Sequence, residues 1–186
     1  MRPDTASAVA WRVLNTCFSA DHDQPAIPSL EPFQASAVRR LSAILDRRGG
    51  AILADSVGLG KTHVAVELIR AEITTGATVV VTSPAQLRVH WLRHLRGLPR
   101  CRWVSHTSLS RGARLQSPTL VVVDEAHAFR NARTRRYAAL ALLCEHSRVL
   151  LVTATPVNNS LLDFHHLVRL FAARNLFMDI GVPDLW

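Results

Sequence analysis

The chain has 186 residues, with 22 basic side chains against 14 acidic ones and a formal charge of +8. Apolar residues make up 48% with only 8 Gly and 9 Pro, which excludes a disordered or fibrous chain. No run approaches the ~20 apolar residues of a membrane span, and no basic segment followed by a long apolar stretch marks a secretory signal. Three well-separated cysteines, Cys17, Cys101 and Cys144, fit neither a disulfide framework nor a zinc site and point to a reducing cytoplasm.

In chain order, Ala6 to Phe18 reads as a short helix and Asp21 to Ser29 as a linker, so residues 1–29 form an extension. Phe33, Ala37, Leu41 and Ile44–Leu45 then recur at helical spacing, and Gly49-Gly50 ends that helix. Apolar runs follow at Ala51–Ala54, Thr78–Val81, Trp103–Val104, Leu120–Val123 and Val149–Val152. Several are continuous and Val-rich, as in strands buried on both faces of a parallel sheet. Helical patterns lie between them: Leu87, Trp91, Leu92 and Leu95 on one face, then Tyr137, Leu140, Ala141 and Cys144 on another. Ser160 to Asp163 reads as a capping box before Phe164, Leu167, Val168 and Phe171. The alternation predicts a doubly wound α/β domain.

Three strand ends carry chemistry. After the first, Asp55-Ser56-Val57-Gly58-Leu59-Gly60-Lys61-Thr62 opens a helix, the context of a phosphate-binding loop. Its glycines let backbone N–H groups turn inward, and the helix start adds partial positive charge. Lys61 is then the phosphate lysine and Thr62 a Mg²⁺ ligand. The usual pattern begins with Gly, where this chain has Asp55. After another strand, Asp124-Glu125 places two carboxylates at a buried strand end, which is unfavourable unless they serve a cation or a reaction. Asp124 suits the Mg²⁺ shell and Glu125 the attacking water. Thr153-Ala-Thr155-Pro156 follows the last strand, with hydroxyls able to bridge neighbouring sites.

These segments together resemble superfamily 2 helicases and translocases, most of all the Swi/Snf-type DNA translocases, over roughly residues 30–172. The resemblance implies a RecA-like ATP-binding lobe at 30–175, with a short tail at 176–186. It implies ATP and Mg²⁺ as cofactors and double-stranded DNA as partner. It suggests that Gln34 contacts adenine, that His127 of Asp124-Glu-Ala-His127 couples the nucleotide and DNA sites together with Thr153 and Thr155, and that Ser83, His106, Ser108 and Arg111 lie near the nucleic acid. Family members often carry Asp-Glu-Met before the Gly-Leu-Gly, where this chain has Asp55-Ser56-Val57. Such enzymes work with two lobes, and a second does not fit in 186 residues. The expectation is therefore a lobe that binds Mg-ATP and hydrolyses it slowly until another polypeptide supplies the second lobe. Two other readings stay open: a non-hydrolysing nucleic-acid or partner-binding module, and a single-lobe P-loop ATPase of another class.

Other residues read more plainly. Between Arg88 and Arg148, 12 Arg stand against three acidic residues, a stretch suited to a polyanion or to a solvated surface. Within it, Arg130, Arg133, Arg135 and Arg136 fit phosphate contacts and a solvated helix start equally well. His90 and His94 have metal-compatible spacing but no evident third ligand. Trp91 and Trp103 read as core rather than as base-stacking platforms.

Overall fold

The structure, a computed structural model, describes residues 27–54, 58–113, 115–155 and 161–172. Asp55, Ser56, Val57, Pro156, Ser160, the extension up to residue 26 and the tail at 176–186 lie outside the described residues.

The element order is α1 (Pro32–Arg48), β1 (Gly50–Leu53), α2 (Lys61–Thr74), β2 (Val79–Ser83), α3 (Arg88–His94), β3 (Cys101–Ser105), α4 (His106–Ser110), β4 (Leu120–Asp124), α5 (Arg135–Cys144), β5 (Arg148–Val152) and α6 (Leu161–Val168). Short 3₁₀ turns, Ala85–Leu87 and Ala126–Phe129, follow β2 and β4. Gly49 caps α1, its N–H donating to Leu45 O at 2.9 Å.

The strands form one parallel sheet in the order β1-β5-β4-β2-β3. Alternate strand residues supply two cores. Leu120 and Val122 pack with α1, α2 and α3; Val121 and Val123 pack with α4, α5 and α6. All four of these residues are fully buried, and each contributes about 2 kcal/mol by leaving water. This burial on both faces is why the strands read as continuous apolar runs rather than alternating ones.

Helix faces depart from the simple pattern in places. Phe33 and Ile44 are exposed at 53% and 43%, and the core face of α1 is Ala35, Val38, Leu41 and Leu45. Ser83 is the last residue of β2, and Trp91 in α3 and Leu95 just after it are buried while Leu92, one residue round the helix from Trp91, is exposed at 42%. Among the described residues no helix is long and apolar enough to cross a membrane.

Candidate nucleotide cleft and nucleic-acid face

All five parallel strands end at one sheet edge, where ligands of open α/β sheets bind. There, Gly58, Gly60, Lys61, Thr62, His63, Leu87, His90, Asp124, Glu125 and Ala154 line a cleft of about 350 Å³. The sheet order explains the meeting. β5 lies between β1 and β4, so Thr153 sits between the loop after β1 and the carboxylates after β4. Thr153 is buried, donates its N–H to Leu53 O at 3.1 Å, and accepts at Oγ1 from Thr155 N at 3.2 Å.

Gly58 and Gly60 both have positive φ, +89° and +75°, and Gly60 is the residue before α2. A Cβ on Gly60 would lie 2.4 Å from Gln34 Nε2. Gln34 reaches the loop from α1: Nε2 donates to Leu59 O at 3.0 Å and Oε1 accepts from Glu31 N at 3.1 Å. Its amide thus braces the loop. Lys61 and Thr62 open α2, where the positive end of the helix dipole favours an anion.

Asp124 is 9% exposed and held at both oxygens. Oδ2 accepts from the Trp91 indole at 2.8 Å and Oδ1 from Glu125 N at 2.9 Å. A carboxylate offers about four lone-pair sites, so two hydrogen bonds leave room for a cation. The Thr62 hydroxyl and the Asp124 carboxylate that line this cleft are the hard oxygen donors Mg²⁺ prefers, so the donor set fits the ion. Glu125 sits at φ 53°, a left-handed conformation uncommon for a non-glycine residue, which turns its side chain away from the strand direction. His127 Nδ1 approaches Glu125 Oε2 to 3.1 Å without hydrogen-bond alignment, and both side chains are about two-fifths exposed, at 42% and 41%.

The residues expected near nucleic acid divide. Ser83 is fully buried and accepts from the Trp103 indole at 2.9 Å. His106 is 5% exposed and packs edge-on against Phe129 with centroids 4.7 Å apart. Burial pushes its imidazole pKa down to about 4, partly offset by the Thr82 and Asp124 backbone and reinforced by Arg136 and His127. These two side chains therefore support the strand ends from inside. Ser108 and Arg111, on and just after α4, are exposed. Beside them, Arg133, Arg135 and Arg136 are exposed and Arg130 is half-buried. Ser110, Ala128, Thr134, Arg135 and Arg136 line a depression of about 390 Å³.

Two features escape sequence reasoning. Trp91 is core, as its helical face indicates, yet it also holds Asp124. His63 joins His90 and His94: ring centroids are 5.3 Å apart for His63–His94 and 4.7 Å for His90–His94. Burial, then His90 and His63, then Arg93 and Arg70, lower the pKa of His94. Among the described residues, no His/Cys/Asp/Glu group has metal-holding geometry.

Residues 111–179 match the SNF2-related domain. The chain is 29% identical over 173 residues to the uncharacterized ATP-dependent helicase YqhH of Bacillus subtilis (strain 168), covering 81% of this chain and 31% of that protein. It is 30% identical over 152 residues to the SWI/SNF-related matrix-associated actin-dependent regulator of chromatin subfamily A-like protein 1 of Xenopus tropicalis, covering 69% of this chain and 16% of that protein. It thus spans under a third of the length of either relative. Among solved structures, the Sulfolobus solfataricus SWI2/SNF2 ATPase core in complex with dsDNA matches with a TM-score of 0.69 at 20% identity, covering 76% of this chain and 35% of that one. That likeness fixes the fold as a RecA-like lobe. Motif order, domain match and relatives agree, and the chain belongs to the SNF2-related, Swi/Snf-type family of superfamily 2.

Proposed function

We propose that this chain is the ATP-binding lobe of a DNA-dependent ATPase, and that hydrolysis to ADP and phosphate proceeds when a second RecA-like lobe closes on the cleft. The observation that carries the reading is the single cleft in which Gly58, Gly60, Lys61 and Thr62 face Asp124 and Glu125. Lys61 and the first N–H groups of α2 receive the phosphates, and Thr62 and Asp124 are the ligands for Mg²⁺. The ion, when bound, neutralises charge on the β- and γ-phosphates. Glu125 orients the attacking water, and its left-handed backbone aims it into the cleft. Gln34 braces the loop and, by family resemblance, reads the adenine. His127, Thr153 and Thr155 link this site to the nucleic-acid face.

Double-stranded DNA is the proposed track, along the face that bears Ser108, Arg111, Arg135 and Arg136. The second lobe, contributed by another polypeptide in this proposal, brings an arginine finger, worth roughly 10³–10⁵ in rate in comparable phosphoryl transfer. ATPase assays on the chain with and without duplex DNA, and with a Swi/Snf-type second lobe added in trans, test the reading. Slow turnover by the chain and DNA-stimulated turnover after addition are expected. Robust turnover by the chain without nucleic acid would contradict it. Nucleotide binding with no turnover under any combination would favour a non-hydrolysing binding module.

A further inference from the structure

The fully buried Trp91 gives its only side-chain donor to an unusual acceptor. A buried indole N–H needs one acceptor, and a backbone carbonyl would serve. Here it takes Oδ2 of Asp124 at 2.8 Å, across 33 residues of chain, from a helix of seven residues. Glu125 N occupies Oδ1 at 2.9 Å, so the carboxylate is pinned from both sides at the mouth of the cleft. A hydrogen bond between a neutral donor and a carboxylate is among the stronger kinds, and it fixes the plane of the group that would meet the cation. Outer partners that orient a metal ligand typically tune affinity about 10–100-fold.

We propose that Trp91 is a positioning residue for the metal carboxylate: its indole N–H holds Asp124 in the orientation that receives Mg²⁺, so the placement of α3 sets the Mg²⁺ affinity of the nucleotide cleft. This rests on the nucleotide-site reading above. The simpler role, a tryptophan filling the core shared with Val81, Leu95 and Val122, predicts an effect on stability alone.

The test titrates the full chain with a fluorescent ATP analogue at graded Mg²⁺, and again in EDTA. Trp91→Phe keeps a ring and removes the donor. The Mg²⁺ midpoint is expected to rise about tenfold, the size of one lost hydrogen bond to a charged group. Affinity in EDTA is expected to stay unchanged. Trp103→Phe removes the other structurally described indole, bonded to Ser83, and is expected to leave the Mg²⁺ midpoint where it is. Because Trp91→Phe also opens a cavity, replacing Trp91 by benzothienylalanine, with sulfur in place of the N–H, removes the donor at nearly constant volume. The same midpoint shift is expected in a folded protein, with a smaller loss of melting temperature than in Trp91→Phe. An unchanged midpoint in either folded variant, or an equal shift in Trp103→Phe, overturns the proposal. If the native chain fails to bind the analogue with Mg²⁺, the nucleotide-site reading itself falls, and this inference with it.

Discussion

Gly60 carries two constraints at once. Its φ of +75° penalises any side chain, and a Cβ would stand 2.4 Å from Gln34 Nε2. Gly60→Ala is expected to cost about 1–3 kcal/mol and to release Gln34 from Leu59, weakening nucleotide binding as well; thermal melts and nucleotide titration on the same sample check both. His106 makes a prediction of its own. Its folded pKa of about 4 lies below the ordinary 6.5, so the unfolded chain binds more protons between those values. Stability from this residue is present above pH 6.5 and is lost as pH falls towards 4, by about 3 kcal/mol, which denaturant melts at stepped pH measure, with His106→Gln flattening the slope. The lone lysine is intelligible at this scale too. A compact ammonium suits a narrow phosphate cradle better than a planar guanidinium, and the other 21 basic residues are Arg. The glycine turn and Lys61 at the start of α2 were legible because a glycine turn that opens a helix is a local pattern. The Trp91–Asp124 bond was not, because 33 residues separate the partners and a helical apolar face already accounts for a tryptophan.

Among the elements, α3 and α5 are the instructive pair. The spacing of Leu87, Trp91, Leu92 and Leu95 suggests one apolar face, but Leu87 lies in a 3₁₀ turn ahead of the helix, and Leu92 is 42% exposed where Trp91 and Leu95 are buried. Helical periodicity cannot show where a 3₁₀ turn hands over to an α-helix. In α5, Thr134 caps the start, its Oγ1 accepting from Tyr137 N at 3.2 Å. Arg135 and Arg136 follow at once, cations at the end of the helix where the dipole disfavours them. The polyanion proposed for that face would offset the penalty. Arg135→Ala and Arg136→Ala are each expected to weaken duplex binding uniformly across sequences and to reduce the salt slope by about 1, with no loss of folding stability. Fluorescence anisotropy with labelled duplexes over a salt series measures this.

At the scale of the whole molecule, strand type was legible and strand order was not. Val-rich runs announce buried parallel strands, but the order β1-β5-β4-β2-β3 pairs strands distant in the chain, and that order makes neighbours of the strand ends that lead to Lys61, Thr153 and Asp124. The Arg excess between positions 88 and 148 also divides in space. Arg100 donates to Gly76 O at 3.0 Å, and Arg148 pairs with Asp46 at 2.8 Å and with the nearly buried Glu72. Arg148 thus ties the start of β5 to α1 and α2, at the opposite end of the strands from the cleft, while Arg111, Arg135 and Arg136 are exposed beside α4 and α5. Arg148→Ala strands the Glu72 carboxylate and is expected to cost roughly 3 kcal/mol, read from denaturant unfolding, without moving nucleotide affinity.

Everything proposed for this molecule depends on the edge formed by Lys61, Thr62, Asp124 and Glu125 being a Mg-nucleotide site. Isothermal titration of the full chain with a slowly hydrolysed ATP analogue and Mg²⁺, beside Lys61→Ala, tests it most directly. The expected result is one nucleotide per chain, with affinity reduced at least about tenfold in Lys61→Ala at an unchanged melting temperature. Equal affinity in the two proteins, or no binding by the native chain, would contradict it.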